Sequence, residues 1–251
     1  MKRNNFYIGI NQRIPIEVLE SSFYDLFETG SISKEHIVQQ LGTEFKGKNR
    51  VGKGFSVVKR IMSHPTVSRT VKIKTVQGKK GVKSFSSFPN SDRNALYLSM
   101  IAGAYPIAFS LCNLLGSVFK VQQQCSTRLI RSKLSALYGS NRATENAIFS
   151  LIPMLIEMNL LKRDKPGLYS SSKRSIIQDR WISDIYIETY LKGLKTKTIL
   201  IEDMDSHPWF YFYKPDINYI FSNNDSMLQF KESRIGGGYI SIISKTSRGR
   251  I

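Results

Sequence analysis

Residues 127–171 read TRLIRSKLSALYGSNRATENAIFSLIPMLIEMNLLKRDKPGLYSS, and their alternation of apolar periods and breaks decides the fold. Ile130, Leu134 and Leu137 recur at helical spacing and predict a helix over about Thr127–Tyr138 with those three on its core face. Gly139-Ser140-Asn141 makes the turn that follows, because Gly139 can take a positive φ and Ser140 or Asn141 can cap the next helix. Ala147, Ile148, Leu151, Ile152, Leu155 and Ile156 give that next helix, about Arg142–Met158, a core stripe that Pro153 can bend. Leu160-Leu161-Lys162-Arg163 then reads as a strand, Asp164-Lys165-Pro166-Gly167 as a turn and Leu168-Tyr169-Ser170 as the returning strand.

With an apolar helix over Pro106–Phe119 before it, this is the element order of a winged helix-turn-helix. Such a module sets a helix about 10–12 Å wide into the major groove, with its N-terminal side chains at the base edges. Arg142, Thr144, Glu145, Asn146 and Phe149 fall off the apolar stripe of the third helix. Arg142 can read guanine, Asn146 adenine, and Glu145 can accept from cytosine. Arg128, Arg131, Lys133, Lys162, Arg163 and Lys165 are placed to neutralise phosphates around that helix. The same element order also suits a winged helix that contacts protein, or a helical bundle with a hairpin.

Charge points the same way. The 251-residue chain carries 37 Lys and Arg against 19 Asp and Glu, a formal net charge of +18, and such a surplus calls for a polyanionic partner. Nucleic acid is the commonest, and an anionic membrane surface is second. Between Phe45 and Ser91 there are 12 basic residues and no acid, namely Lys46, Lys48, Arg50, Lys53, Lys59, Arg60, Arg69, Lys72, Lys74, Lys79, Lys80 and Lys83. That is more than a solvated face needs, and it predicts a second phosphate-binding surface without sequence specificity.

The remaining chain builds a frame around these two features. Leu19, Phe23, Leu26 and Phe27 predict a helix from about Pro15 to Glu28 with Gly30 as its C-terminal cap. A second follows Ser33 with Ile37, Leu41 and Phe45 on one face, and a third spans about Gly54–Ser63 until Pro65 ends it. Thr66–Asn90 is either a short hairpin, from its β-branched residues and Gly pairs, or a mobile basic loop. Asn94–Phe119 has no charged residue and is long enough to span a bilayer, but Gly103, Pro106 and scattered Ser and Asn favour two buried helices broken at Tyr105-Pro106. Beyond the module, Ser175–Leu191 reads as a helix with Ile177, Trp181 and Ile185 on one side, and Thr196–Glu202 as a strand. Ser226–Lys231 and Gly238–Ser244 read as a hairpin. The aromatic run His207–Tyr213 is expected to dock the C-terminal part on the core rather than to stack bases, since Lys214 is the only basic residue beside it.

No catalytic centre is expected. His36, His64 and His207 have no zinc-type spacing, and the three glycines 236–238 lack the Lys-Ser or Lys-Thr of a phosphate loop. Glu202, Asp203 and Asp205 form an acidic group that a Mg²⁺-dependent nuclease could use. Two cysteines, Cys112 and Cys125, and an N-terminus without an apolar leader fit a cytoplasmic protein that needs no cofactor.

Taken together, Leu19–Gly30, the helix ending near Arg60, Asn94-Ala95-Leu96-Tyr97, Tyr105-Pro106, Arg142–Ala147, Leu160-Leu161 and Gly167-Leu168-Tyr169 resemble the BrxA family of BREX phage-defence systems. The resemblance runs from about Pro15 to Phe212, and the basic stretch Arg69–Lys83 and the part beyond Tyr213 depart from it. It implies a NusB-like N-terminal helical bundle, a winged-helix part, and a DNA-binding accessory role beside other phage-defence proteins. The expected organisation is therefore mainly α: a helical region (1–65), a basic loop or hairpin (66–90), apolar helices with the winged helix-turn-helix (91–175), and a small β-containing C-terminal part (176–251). Double-stranded DNA is the expected partner. The rivals are an RNA-binding, antitermination-like adaptor, a winged-helix transcriptional regulator, and the nuclease.

Overall fold

The computed structural model describes residues 8–63, 85–172, 174–218, 228–232 and 237–243. The chain is mainly helical with a small β part towards its C-terminus. Three helices come first: α1 (Ile16–Thr29), α2 (Lys34–Glu44) and α3 (Lys48–Met62). Gly30 closes α1 in the left-handed region at φ 79°, and the Ser33 hydroxyl accepts from the His36 N–H to start α2. Gly30 is the predicted cap, and the Ser33 bond explains why the second helix begins where it does. Helix α3 starts six residues before the position predicted for it, after Gly47 at φ 95°. Lys48, Arg50 and Lys53 therefore lie on a helix rather than on the approach to one.

Helices α4 (Asn90–Ala104) and α5 (Pro106–Phe119) divide at Tyr105-Pro106 as expected. The uncharged run Asn94–Phe119 is accounted for by burial. Helix α4 is buried on nearly every side, packed against α3, α5 and the helix α8 (Arg180–Gly193). No helix among the described residues is long and apolar enough to cross a membrane.

After α5 come β1 (Gln124–Ser126), α6 (Thr127–Tyr138), α7 (Arg142–Glu157), β2 (Leu161–Lys165) and β3 (Leu168–Ser171). The three strands form an antiparallel sheet in the order β1-β3-β2. Gly139 takes φ 91° in the turn between α6 and α7, and the Asn141 side chain accepts from the Thr144 N–H to cap α7. Pro153 lies inside α7 and removes the hydrogen bond that would reach the Phe149 carbonyl. Asn159 at φ 55° turns the chain out of α7 towards β2. Leu137 corrects the reading of α6, being 63% exposed where Ile130 and Leu134 are buried. Tyr138 takes the inward place instead, with its hydroxyl 2.8 Å from Ser110 on α5.

The C-terminal part departs from expectation at its start. Ser175–Ile177 is a strand, β4, and α8 begins only at Arg180, capped by the Asp179 carboxylate. Buried Asp92 of α4 accepts from the backbone N–H groups of Gln178 and Asp179 at 2.6–3.1 Å, which ties the beginning of α8 to α4. Strand β5 (Thr198–Leu200) is followed by a single helical turn, α9 (Ile201–Met204), and a 3₁₀ turn over Pro208–Tyr211. Strand β6 (Tyr213–Pro215) runs parallel to β4, while β7 (Leu228–Glu232) and β8 (Gly238–Ile242) pair antiparallel with β5 on the far edge of β8. The predicted hairpin is thus present with a third strand.

The aromatic run docks inward. Trp209, Phe210, Phe212 and Tyr213 are buried, and Trp209 stacks on Tyr186 of α8 at 4.9 Å. Two hydrogen bonds lock that pair: the Tyr186 hydroxyl donates to the Trp209 carbonyl (2.6 Å), and the Trp209 indole N–H donates to the Tyr186 carbonyl (3.2 Å). Gly116 makes the approach possible. A Cβ there would sit 2.0 Å from the Pro208 carbonyl oxygen, so only glycine lets the segment reach α5. Buried side chains from Ile10 to Ile240 form one continuous core.

Candidate nucleic-acid interface

Helix α7 turns its apolar stripe to the core and leaves a polar face outside. Arg142, Glu145 and Phe149 are exposed on it and Asn146 is half-buried. These positions follow the spacing i, i+3, i+4, i+7 and share one side of the helix. Thr144 does not belong with them. It is fully buried, and its hydroxyl donates 2.8 Å to the Gly139 carbonyl beneath the turn. Its expected place among the DNA-contacting residues is corrected to that of a strut holding the α6–α7 turn. Thr144→Val should lower stability by about 1–2 kcal/mol through the lost hydrogen bond and leave nucleic-acid affinity unchanged. Thermal unfolding and fluorescence anisotropy on the same preparation check both halves.

Around α7 the expected cations occupy three places. Arg128 and Lys133 are exposed on α6. Arg131 is half-buried, with its guanidinium 4.9 Å from the centre of the Phe149 ring. Lys162, Arg163 and Lys165 project from β2, whose inward residue is Leu161. Asp164 among them accepts from Gln124 (2.7 Å) and Ser170 (2.8 Å), so this carboxylate braces the hairpin against β1. Arg163 lies over the Tyr169 ring at 5.9 Å, which fixes its stem and leaves its charge outward.

A second basic surface belongs to α3. Lys48, Arg50 and Lys53 are exposed, and no acid stands in the first turn of the helix. Two cations at a helix N-terminus oppose its dipole, an arrangement that a bound anion relieves. Beside them a cleft of about 350 Å³ is lined by Asn11, Asn49, Lys53 and Ser56, with Tyr105 at its side. Arg60, at the other end of α3, is committed elsewhere. Its Nε donates to the Ala104 carbonyl (3.2 Å) at the end of α4, and its guanidinium lies over Tyr105. Arg69, Lys72, Lys74, Lys79, Lys80 and Lys83, with the hairpin or loop expected around them, lie outside the described residues.

Lys48, Arg50, Lys53, Arg128, Lys133, Arg142, Lys162, Arg163 and Lys165 form no ion pair with any described residue. Glu145 on α7 and Asp164 on β2 stand among these cations without pairing with them, and several other acids are engaged elsewhere. Glu157 binds Arg13, Glu20 binds Arg93, Asp25 faces His36, and Glu188 binds Lys192. Among the described residues, these cations are therefore open to solvent on the two basic surfaces.

Of the acidic group in the nuclease reading, Asp205 is engaged by two cations. Asp205 binds Arg174 (2.9 Å) and Lys214 (3.1 Å), and those hydrogen bonds hold its carboxyl below the usual aspartate range. Among the described residues, no group of His, Cys, Asp and Glu converges as metal ligands would. Both thiols are buried, which pushes Cys112 up to about 12 and Cys125 up to about 11.

Three signals escaped the sequence. Strand β1 is too short to show a period, the Arg131–Phe149 contact joins two helices, and the cleft beside α3 draws on residues more than 90 positions apart. No protein-family model, curated protein or solved structure matches the chain.

Proposed function

We propose that this protein binds duplex DNA through a winged helix-turn-helix, with α7 as the recognition helix and the β2–β3 hairpin as the wing. What supports the reading is the set of exposed cations on α6, α7 and β2 that form no ion pair with a carboxylate among the described residues. The element order supports it too: α5, β1, α6, α7, β2 and β3, with β1 pairing the returning strand of the hairpin. In this arrangement α7 enters the major groove, Arg142 and Asn146 face base edges, and Arg128, Lys133, Lys162, Arg163 and Lys165 meet phosphates. Cations of α3 hold a further stretch of backbone without reading its sequence. The sequence resemblance to the BrxA family gives the wider assignment: a cytoplasmic accessory DNA-binding protein of a phage-defence system, its first helices forming a NusB-like bundle.

Competition binding on a random duplex library tests the recognition helix. Arg142→Ala and Asn146→Ala should each cost about 1–3 kcal/mol on the preferred sequences and much less on the rest of the library. Unchanged affinity and unchanged preference in both variants would remove α7 from the interface. Preference for a structured RNA over the duplex would favour the antitermination-like adaptor instead.

A further inference from the structure

We infer that Phe149 is a specificity-determining residue that reads the C5-methyl group of a pyrimidine in the major groove. The inference rests on the proposed DNA-binding reading and adds to it a ligand chemistry. Phe149 is 56% exposed on the face of α7 that also carries Arg142, Glu145 and Asn146. An apolar ring at the end of a polar face loses the benefit of burial unless a partner covers it. With a rise of 1.5 Å per residue, it stands about 10 Å along the helix from Arg142. That is close to the length of three stacked base pairs.

Phenylalanine neither donates nor accepts a hydrogen bond, so it cannot use the donor and acceptor code of the groove. The one apolar group displayed there by ordinary DNA is the thymine methyl, and 5-methylcytosine presents the same group at the same ring position. Arg131 sets the ring for this contact. Its guanidinium lies 4.9 Å from the ring centre, and its Nε is shielded from solvent without a hydrogen-bond partner among the described residues. Stacking on Phe149 is thus what holds that stem, and the same stacking restrains the ring. Phe149 and Arg131 bring together an apolar reader and a cation from two adjoining helices.

The test compares three versions of one long random-sequence fragment, made with ordinary nucleotides, with deoxyuridine for every thymidine, or with 5-methyldeoxycytidine for every deoxycytidine. Such a fragment offers every short sequence, so no target need be known. Wild-type protein should bind the deoxyuridine version about fourfold more weakly, the worth of one buried methyl group. It should bind the 5-methylcytosine version more tightly. Phe149→Ala should bind all three alike, Phe149→Leu should keep part of the difference, and both variants should unfold at the wild-type temperature. Equal wild-type binding to the three DNAs overturns the methyl reading and leaves DNA binding standing. Failure to bind any of them overturns both. Methyl discrimination that persists in Phe149→Ala, or a change of oligomeric mass in that variant, assigns the ring to something else.

Discussion

Replacing Lys48, Arg50 and Lys53 together by glutamate is expected to weaken binding to random-sequence duplex DNA by about 10²-fold or more at 0.1 M salt. The size follows from counterion release. Each phosphate contact contributes about 0.9 to the slope of log affinity against log salt, so near 0.1 M three contacts are worth between two and three decades. Reversal adds repulsion to that loss. These residues are exposed on one helix and lack ion-pair partners among the described residues, so the change should leave the fold intact. The salt slope should fall by about 2.7 while the sequence preference set by α7 is kept. Salt titrations of both proteins on two unrelated duplexes measure slope and preference together. A slope as steep as wild type would show that α3 does not touch DNA.

Trp209→Ala is expected to destabilise the protein by about 3–5 kcal/mol, the usual range for emptying a large aromatic site in a core. For a chain of this size that lowers the unfolding midpoint by roughly 6–20 °C. Trp209 is wholly buried between α5 and α8, against Phe109 and Tyr186, so the loss includes two ring contacts and the hydrogen bond from the indole N–H to the Tyr186 carbonyl. Below the new midpoint, DNA affinity should match wild type because the aromatic segment clamps the C-terminal part rather than stacking bases. Differential scanning calorimetry with anisotropy at low temperature separates the two roles. Weak DNA binding by a variant that is still folded would return this segment to the interface.

Local signals carried the central part of the fold. The α6–α7 pair was legible because an apolar stripe, a glycine with positive φ and an asparagine cap agree at Gly139-Ser140-Asn141. Distant contacts hid the rest. Gly52 and Gly54 disguised the first two turns of α3, although Gly54 is where the Leu41 side chain packs closely against the helix. Ile177, Trp181 and Ile185 are four apart by coincidence, and what stops α8 from starting earlier is Asp92, 86 positions upstream, holding the Gln178 and Asp179 N–H groups. Thr144 looked like a surface residue of α7, but in its first turn that direction faces the Gly139 carbonyl. At the candidate interface, exposed cations could be named from charge alone. Arg60 and Arg131 could not be sorted from them without seeing Ala104 and Phe149 beside them.

Unneutralised positive charge on α3, α6, α7 and β2 is the physical claim beneath every functional statement. Anisotropy of a labelled random-sequence duplex, titrated with the 251-residue protein from 50 to 200 mM salt, tests it most directly. Six to ten phosphate contacts predict that affinity falls by about 10³–10⁵ across that range. Absence of binding at the lowest salt, or an affinity indifferent to salt, would contradict the account.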